Sequence, residues 1–271
     1  MPDAFYIYCI GERDALAPLV DEKQAEAIEP QTELELIASD ELAAVASVVP
    51  LSDYGEEAFA ARLVDATWVA ARAMRHEKVL EHFAERANIV PLRFGAIYLK
   101  RAGVTRMLSE KSESLRALLH RLRDKEEWGV NIFCDRAKLV EMIAMLSPAL
   151  REMSARAGAS SAGQAYLLRK KIEGMRADEA RAQIRRVVAE IESRLSEASD
   201  GAVRLRLRQA ETAEHQDLAA KLAFLIERSR FTEFRAAAEE LAASHARSGF
   251  RLELTGAWPP YNFVEDSEQK I

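Results

Sequence analysis

Long hydrophobic runs are missing from this chain of 271 residues. No stretch approaches the roughly 18 uninterrupted apolar residues that a membrane-spanning helix needs. No basic segment followed by an apolar one reads as a signal peptide. Cysteine is scarce. Cys9 and Cys134 each close an apolar, strand-like run, which suits small buried thiols and not a disulfide framework. Positive charge is outweighed, and the formal net charge of −6 argues against a general nucleic-acid binder. These absences point to a cytoplasmic protein off the membrane.

The signatures of common chemistries are lacking too. The glycines are scattered, with no G-x-x-x-x-G-K-[ST], no G-x-G-x-x-G and no G-x-S-x-G. His76 and His82 lie about 120° apart around a helix at ~100° per residue, so they share no metal face. His76-Glu77 lacks the second histidine of H-E-x-x-H. Glu126-Glu127 and Glu239-Glu240 are neighbouring acids whose side chains point apart on a helix, which reads as solvated surface. No catalysis, cofactor or metal is expected.

What is present is globular. Apolar residues make up 49% and charged residues 30%, in a chain long enough for two domains. Ala4–Ile10, Leu34–Ala38 and Ala43–Val49 read as strands, the last two joined by a turn at Ser39-Asp40. Asp53 to Ala87 reads as one long amphipathic helix whose apolar stripe is interrupted only at His76-Glu77-Lys78. A short strand with Pro91 follows, then a helix from Val104 to about Arg123. A solvated charge run at residues 123–127 marks a boundary. The second half alternates at Trp128–Phe133, Val203–Leu207, Lys221–Glu227 and Phe250–Thr255. Helices are expected over Asp135–Leu146, Gln164–Leu195 and Phe231–Ala246, with a small-residue loop at Ala155–Gly163.

The fold class is therefore α+β, with two α/β domains. Residues 1–125 form the first. Residues 126–271 form the second, a ferredoxin-like split βαβ sheet with an enlarged helical insertion and a closing aromatic tail.

Three places stand out. Leu92 and Phe94 share one face of a strand and aim Arg93 to the other, where a buried guanidinium between the domains is expected. Arg204, Arg206 and Arg208 line one face of one strand. They read as an edge defended by charge, as a partner interface, or as part of an RNA platform on the second sheet. Trp258-Pro259-Pro260-Tyr261-Asn262-Phe263 is a stiff, aromatic tail. It reads as a packing clamp, expected on the second domain near Trp128 or Phe231.

Four stretches together resemble the gas vesicle protein F / gas vesicle protein L family. They are Tyr6-Ile7-Tyr8-Cys9-Ile10-Gly11, Ile89–Gly95, Glu127-Trp128-Gly129-Val130 with Tyr166-Leu167, and Thr255–Phe263. They occur in the family's order across nearly the whole chain, although Ala257 stands where the family usually has proline. The resemblance implies a non-enzymatic, vesicle-associated accessory protein of gas vesicle assembly. Its implied partners are the hydrophobic major shell subunit and other gas vesicle accessory proteins, with no nucleic acid and no membrane. Arg93, Phe94, Arg204, Arg206, Arg208, Trp258 and Tyr261 are the candidate partner-binding or structural residues. The alternative is an RNA-binding regulator using the second sheet.

Overall fold

The computed structural model describes residues 3–22, 24–146, 148–207 and 217–264. The chain divides into two compact units, one running to Glu127 and resuming at Ala257, the other spanning Trp128–Gly256. Both carry an antiparallel sheet with helices, an α+β arrangement.

In the first unit, β1 (Asp3–Glu12) lies inside a sheet ordered β2-β3-β1-β4, with β2 at Leu34–Ser39, β3 at Leu42–Pro50 and β4 at Ile89–Pro91. The two-residue strand β5 (Ile97–Tyr98) also pairs with β1. Tyr6 through Ile10 are all buried, which explains why β1 reads as a continuous apolar run and not an alternating one. The β1–β3 register shifts between Ile7 and Cys9, leaving Tyr8 as the extra residue of a bulge.

The helices of this unit are α1 (Arg13–Asp21), α2 (Leu51–Tyr54), α3 (Glu56–Arg62), α4 (Ala66–Ala84), α5 (Arg101–Glu110) and α6 (Ser112–Leu122). The single helix expected over Asp53–Ala87 is thus three. Gly55 is extended (ψ 154°), and a Cβ there would stand 2.7 Å from the Leu51 carbonyl oxygen. Asp65 then restarts the helix by accepting the Thr67 and Trp68 amide protons, an N-cap. The helix expected from Val104 likewise breaks at Lys111. Helix α1 was hidden by its internal Pro18.

The second unit's elements are β6 (Lys125–Cys134) from Trp128 on, α7 (Arg136–Leu146), α8 (Pro148–Gly158), α9 (Ala162–Glu197), β7 (Gly201–Leu205), β8 (Leu218–Glu227), α10 (Phe231–His245) and β9 (Phe250–Trp258) up to Gly256. The sheet order is β7-β8-β6-β9. Its core joins Val187, Val188 and Ile191 of α9 and Phe234 and Leu241 of α10 to Val130, Ile132, Leu222 and Phe224 of the sheet. Strand β9 passes so close to β6 that a Cβ on Gly129 would lie 2.6 Å from Thr255 Oγ1. The loop expected over Ala155–Gly163 is mostly helix, because its small residues are largely alanines and alanine is the best helix former.

The aromatic tail is the main departure. It was expected to close the second domain, but it groups with the first unit.

Candidate functional site

The most organised polar site in the molecule sits in the first unit, around His76 of α4. The side chain is 1% exposed. Tyr6 Oη lies 2.9 Å from Nδ1, and the Leu92 carbonyl oxygen lies 3.2 Å from Nε2. A carbonyl only accepts, so Nε2 carries the proton and Nδ1 accepts from Tyr6. Tyr6 Oη in turn accepts the Gly95 amide proton at 3.2 Å. One relay therefore runs from Gly95 through Tyr6 and His76 to Leu92. Such chains polarise one another in a low-dielectric interior. Burial holds the imidazole pKa down at about 4, so the ring is neutral at physiological pH. Phe94 packs edge-on to both His76 and Tyr6, with ring centroids 5.9 and 6.1 Å away.

The tail docks beside this relay. Tyr261 donates to Glu77 Oε1 at 2.9 Å, and its hydroxyl stands 3.5 Å from His76 Nε2. Asn262 grips the buried Glu127 twice, through its amide at 2.8 Å and through Nδ2 at 2.6 Å. The Phe263 carbonyl accepts from Arg121. Pro259, Pro260 and Phe263 are buried. Burial raises the pKa of both Glu77 and Glu127, and the tail's hydrogen bonds oppose that shift. A second buried pair stands nearby in the sequence of α4: Glu29 accepts from Tyr54 Oη at 2.7 Å and from Arg72 Nε at 2.8 Å.

The four stretches singled out in the sequence thus meet here. Tyr6 comes from the opening strand, Leu92 to Gly95 from the proline strand, Glu127 from the start of the third stretch, and Tyr261 to Phe263 from the tail. Tyr166-Leu167 does not take part. The hub itself, His76, was missed. Its one signal was the interruption of the apolar stripe at His76-Glu77-Lys78, where a histidine sits on a buried face.

The individual candidates fall out differently. Arg93 is exposed, not buried as expected, while its neighbour Phe94 packs against the first unit's core. Phe94 and Tyr261 are packing residues of the first unit's core. Tyr261 groups with the first unit, whereas Trp128 and Phe231 belong to the second, where they stack on each other at 4.1 Å. Trp258 is 49% exposed, and Pro259 and Pro260 after it are buried. Arg204 pairs with Glu192 of α9, on the helix-covered face that its partner Leu222 shares. Arg206 is exposed, and Arg208 lies outside the described residues. Of the RNA platform weighed as one reading of the second sheet, Glu127 and Phe133 on β6 are both buried, with the Arg251 guanidinium 3.9 Å above the Phe133 ring.

Among the described residues no three His, Cys, Asp or Glu side chains are grouped to hold a metal ion. An open hollow of about 480 Å³ on the first unit is walled by charges of both signs, including Glu26, Arg75, Lys78, Glu81 and Glu85. It lacks the apolar walls typical of small-molecule sites.

Comparison with known proteins decides the family. The family model for "Gas vesicle synthesis protein GvpL/GvpF" matches residues 4–265. The chain belongs to the GvpL/GvpF family. It is 29% identical to gas vesicle protein L of Streptomyces sp. (strain CB03234) over 242 residues, covering 87% of this chain and 85% of the relative. It is 30% identical to gas vesicle protein F of the same organism over 198 residues, covering 71% and 76%. The crystal structure of GvpF from Anabaena sp. PCC7120 shares its fold, with a TM-score of 0.69 at 18% identity and 99% of each chain covered. Membership of this family makes the chain a protein of gas vesicle formation.

Proposed function

We propose that this GvpL/GvpF-family protein binds the hydrophobic major shell subunit of the gas vesicle, holds it out of aggregation and supports its assembly. The observation that carries the reading is the family match along nearly the whole chain. A subunit that lines a gas-filled space exposes apolar surface before it assembles, and such surface aggregates unless covered. Large apolar side chains left open on the first unit, Met74 and Leu99 among them, suit that task. Arg93, Arg206 and Trp258, all presented to solvent, are proposed as partner contacts. Phe94, Tyr261 and Arg204 hold the units in shape. The second unit is read as a ferredoxin-like split βαβ domain acting as a scaffold and not an RNA reader, a reading that its sheet order β7-β8-β6-β9 supports. The protein acts in the cytoplasm at growing vesicles, alongside other accessory proteins, without catalysing a reaction.

Co-expression with the shell subunit tests this directly. The soluble fraction of the shell subunit should rise, and the two should co-purify with or without nuclease. Deletion should abolish or reduce vesicles while shell-subunit synthesis continues. Normal vesicles in a clean deletion without a paralogue would refute the reading. Association lost on nuclease treatment would move it to RNA.

A further inference from the structure

The chain is acidic overall, but α8 and the start of α9 are not. Residues 148–172 hold five cations, Arg151, Arg156, Arg169, Lys170 and Lys171, against the single anion Glu152. None of the five carries an ion pair among the described residues. On α9, Ala165 and Ile172 are buried and Leu168 is packed against the core. The opposite stripe is open: Tyr166 is 63% and Leu167 67% exposed, and Lys170 and Lys171 follow one turn later on the same face. Gly174 continues that stripe, and a Cβ there meets nothing within 4 Å. Glycine inside a helix costs up to ~1 kcal/mol relative to alanine. No packing among the described residues calls for it, whereas the close approach of another backbone would.

The complement of this surface is on the same chain. The corner between α3 and α4 leaves Leu63 50% and Val64 84% exposed. Glu56 and Glu57, both exposed, lie two turns earlier at the start of α3, whereas the neighbouring Asp65 is taken up by capping α4. The one cation there, Arg62, is occupied by Asp53 at 2.6 Å. Two apolar side chains with a pair of exposed acids two turns before them thus match two apolar side chains with a pair of exposed bases one turn after them, and both sets are open in the single chain.

We propose that the basic stripe of α9 in one copy docks on the acidic α3–α4 corner of a second copy, giving head-to-tail self-association. The two patches differ, so the contact is heterologous and each copy keeps one free end for the next. The charges sit on exposed side chains, so the association is salt-sensitive, and the small patches make it a weak contact below the size of permanent interfaces. The proposal is independent of shell-subunit binding.

Sedimentation velocity on the full chain, over about two decades of concentration at low salt, provides the test. The weight-average sedimentation coefficient should climb with concentration and fall back to the monomer value near ~1 M salt, where the Debye length is about 3 Å. Lys170→Glu/Lys171→Glu and Glu56→Lys/Glu57→Lys should each weaken self-association about tenfold or more. Mixing those two variants should restore a complex, because the reversed faces again match. Gly174→Leu, which leaves charge untouched, should also weaken association. Should a charge variant fail to fold, Tyr166→Ser/Leu167→Ser takes its place and should have the same effect. A wild-type chain that stays monomeric throughout overturns the proposal, and so does a mixture of reversed variants that fails to associate. RNA binding by α9 without self-association, read with a labelled single-stranded oligonucleotide, would overturn it in favour of nucleic acid.

Discussion

Replacing His76 with leucine removes the hub of the relay while keeping an apolar side chain on α4. Tyr6 then loses its acceptor, although it keeps the Gly95 amide as donor, and the Leu92 carbonyl loses the imidazole N–H. Leaving a buried polar group unpaired costs about 1–3 kcal/mol. Two affected groups, one still half-satisfied, give about 2–4 kcal/mol. A unit of this size shifts in Tm by roughly 2–4 °C per kcal/mol, so a fall of about 5–15 °C is expected at pH 7. The pH dependence makes the test specific. The His76 pKa falls from 6.5 in the unfolded chain to about 4 in the folded one. Between those values the unfolded state binds more protons, so stability falls as pH drops from about 6.5 to about 4 and then levels off. The full loss is about 3 kcal/mol at ~1.36 kcal/mol per pH unit. Glu77 and Glu127, with raised pKa values, act in the opposite sense. Their stabilisation is present at low pH and lost as pH rises through their folded values, so they partly mask the histidine in the wild type. The assay is denaturant unfolding of wild type and His76→Leu at a series of pH values. The difference between the two midpoints isolates the histidine: it should be large at pH 7 and shrink toward pH 4. Equal midpoints at pH 7, or a difference that does not change with pH, would refute the role given to this residue.

Glu127→Ala strips Asn262 of both acceptors, and limited proteolysis should then cleave the chain after Ala257 faster than in the wild type, with a stability loss of about 1–3 kcal/mol. Glu127→Gln keeps one acceptor and should fall between the two. Gly129→Ala drives a methyl into Thr255 and should destabilise the second unit by about 1–3 kcal/mol, seen as a lower denaturant midpoint for its Trp128 fluorescence. Arg93 is exposed, so Arg93→Ala should cost no more than an exposed contact does, about 1 kcal/mol or less and well short of a buried ion pair, and a loss of shell-subunit capture beyond that would report a partner contact.

The sequence by itself determined most of the strands, the long helices and the resemblance to the family. Period-two alternation located β8 and β9, runs bounded by turn residues located β2 and β3, and a period-3.6 apolar stripe located α4. The four stretches that carry the resemblance were legible as local strings. Local patterns did not show where helices break. Gly55 and Asp65 act through a backbone angle and a side-chain cap, and neither disturbs the apolar spacing around them. Tertiary structure alone decided that the four stretches meet at His76, that Arg93 faces solvent, and that the tail closes the first unit. Those facts depend on partners far apart in the chain, such as Tyr261 and Glu77 or Asn262 and Glu127. A sequence shows that a proline-stiffened aromatic tail must dock. Only the fold supplies the buried carboxylate that the tail's amide and Asn262 can both reach.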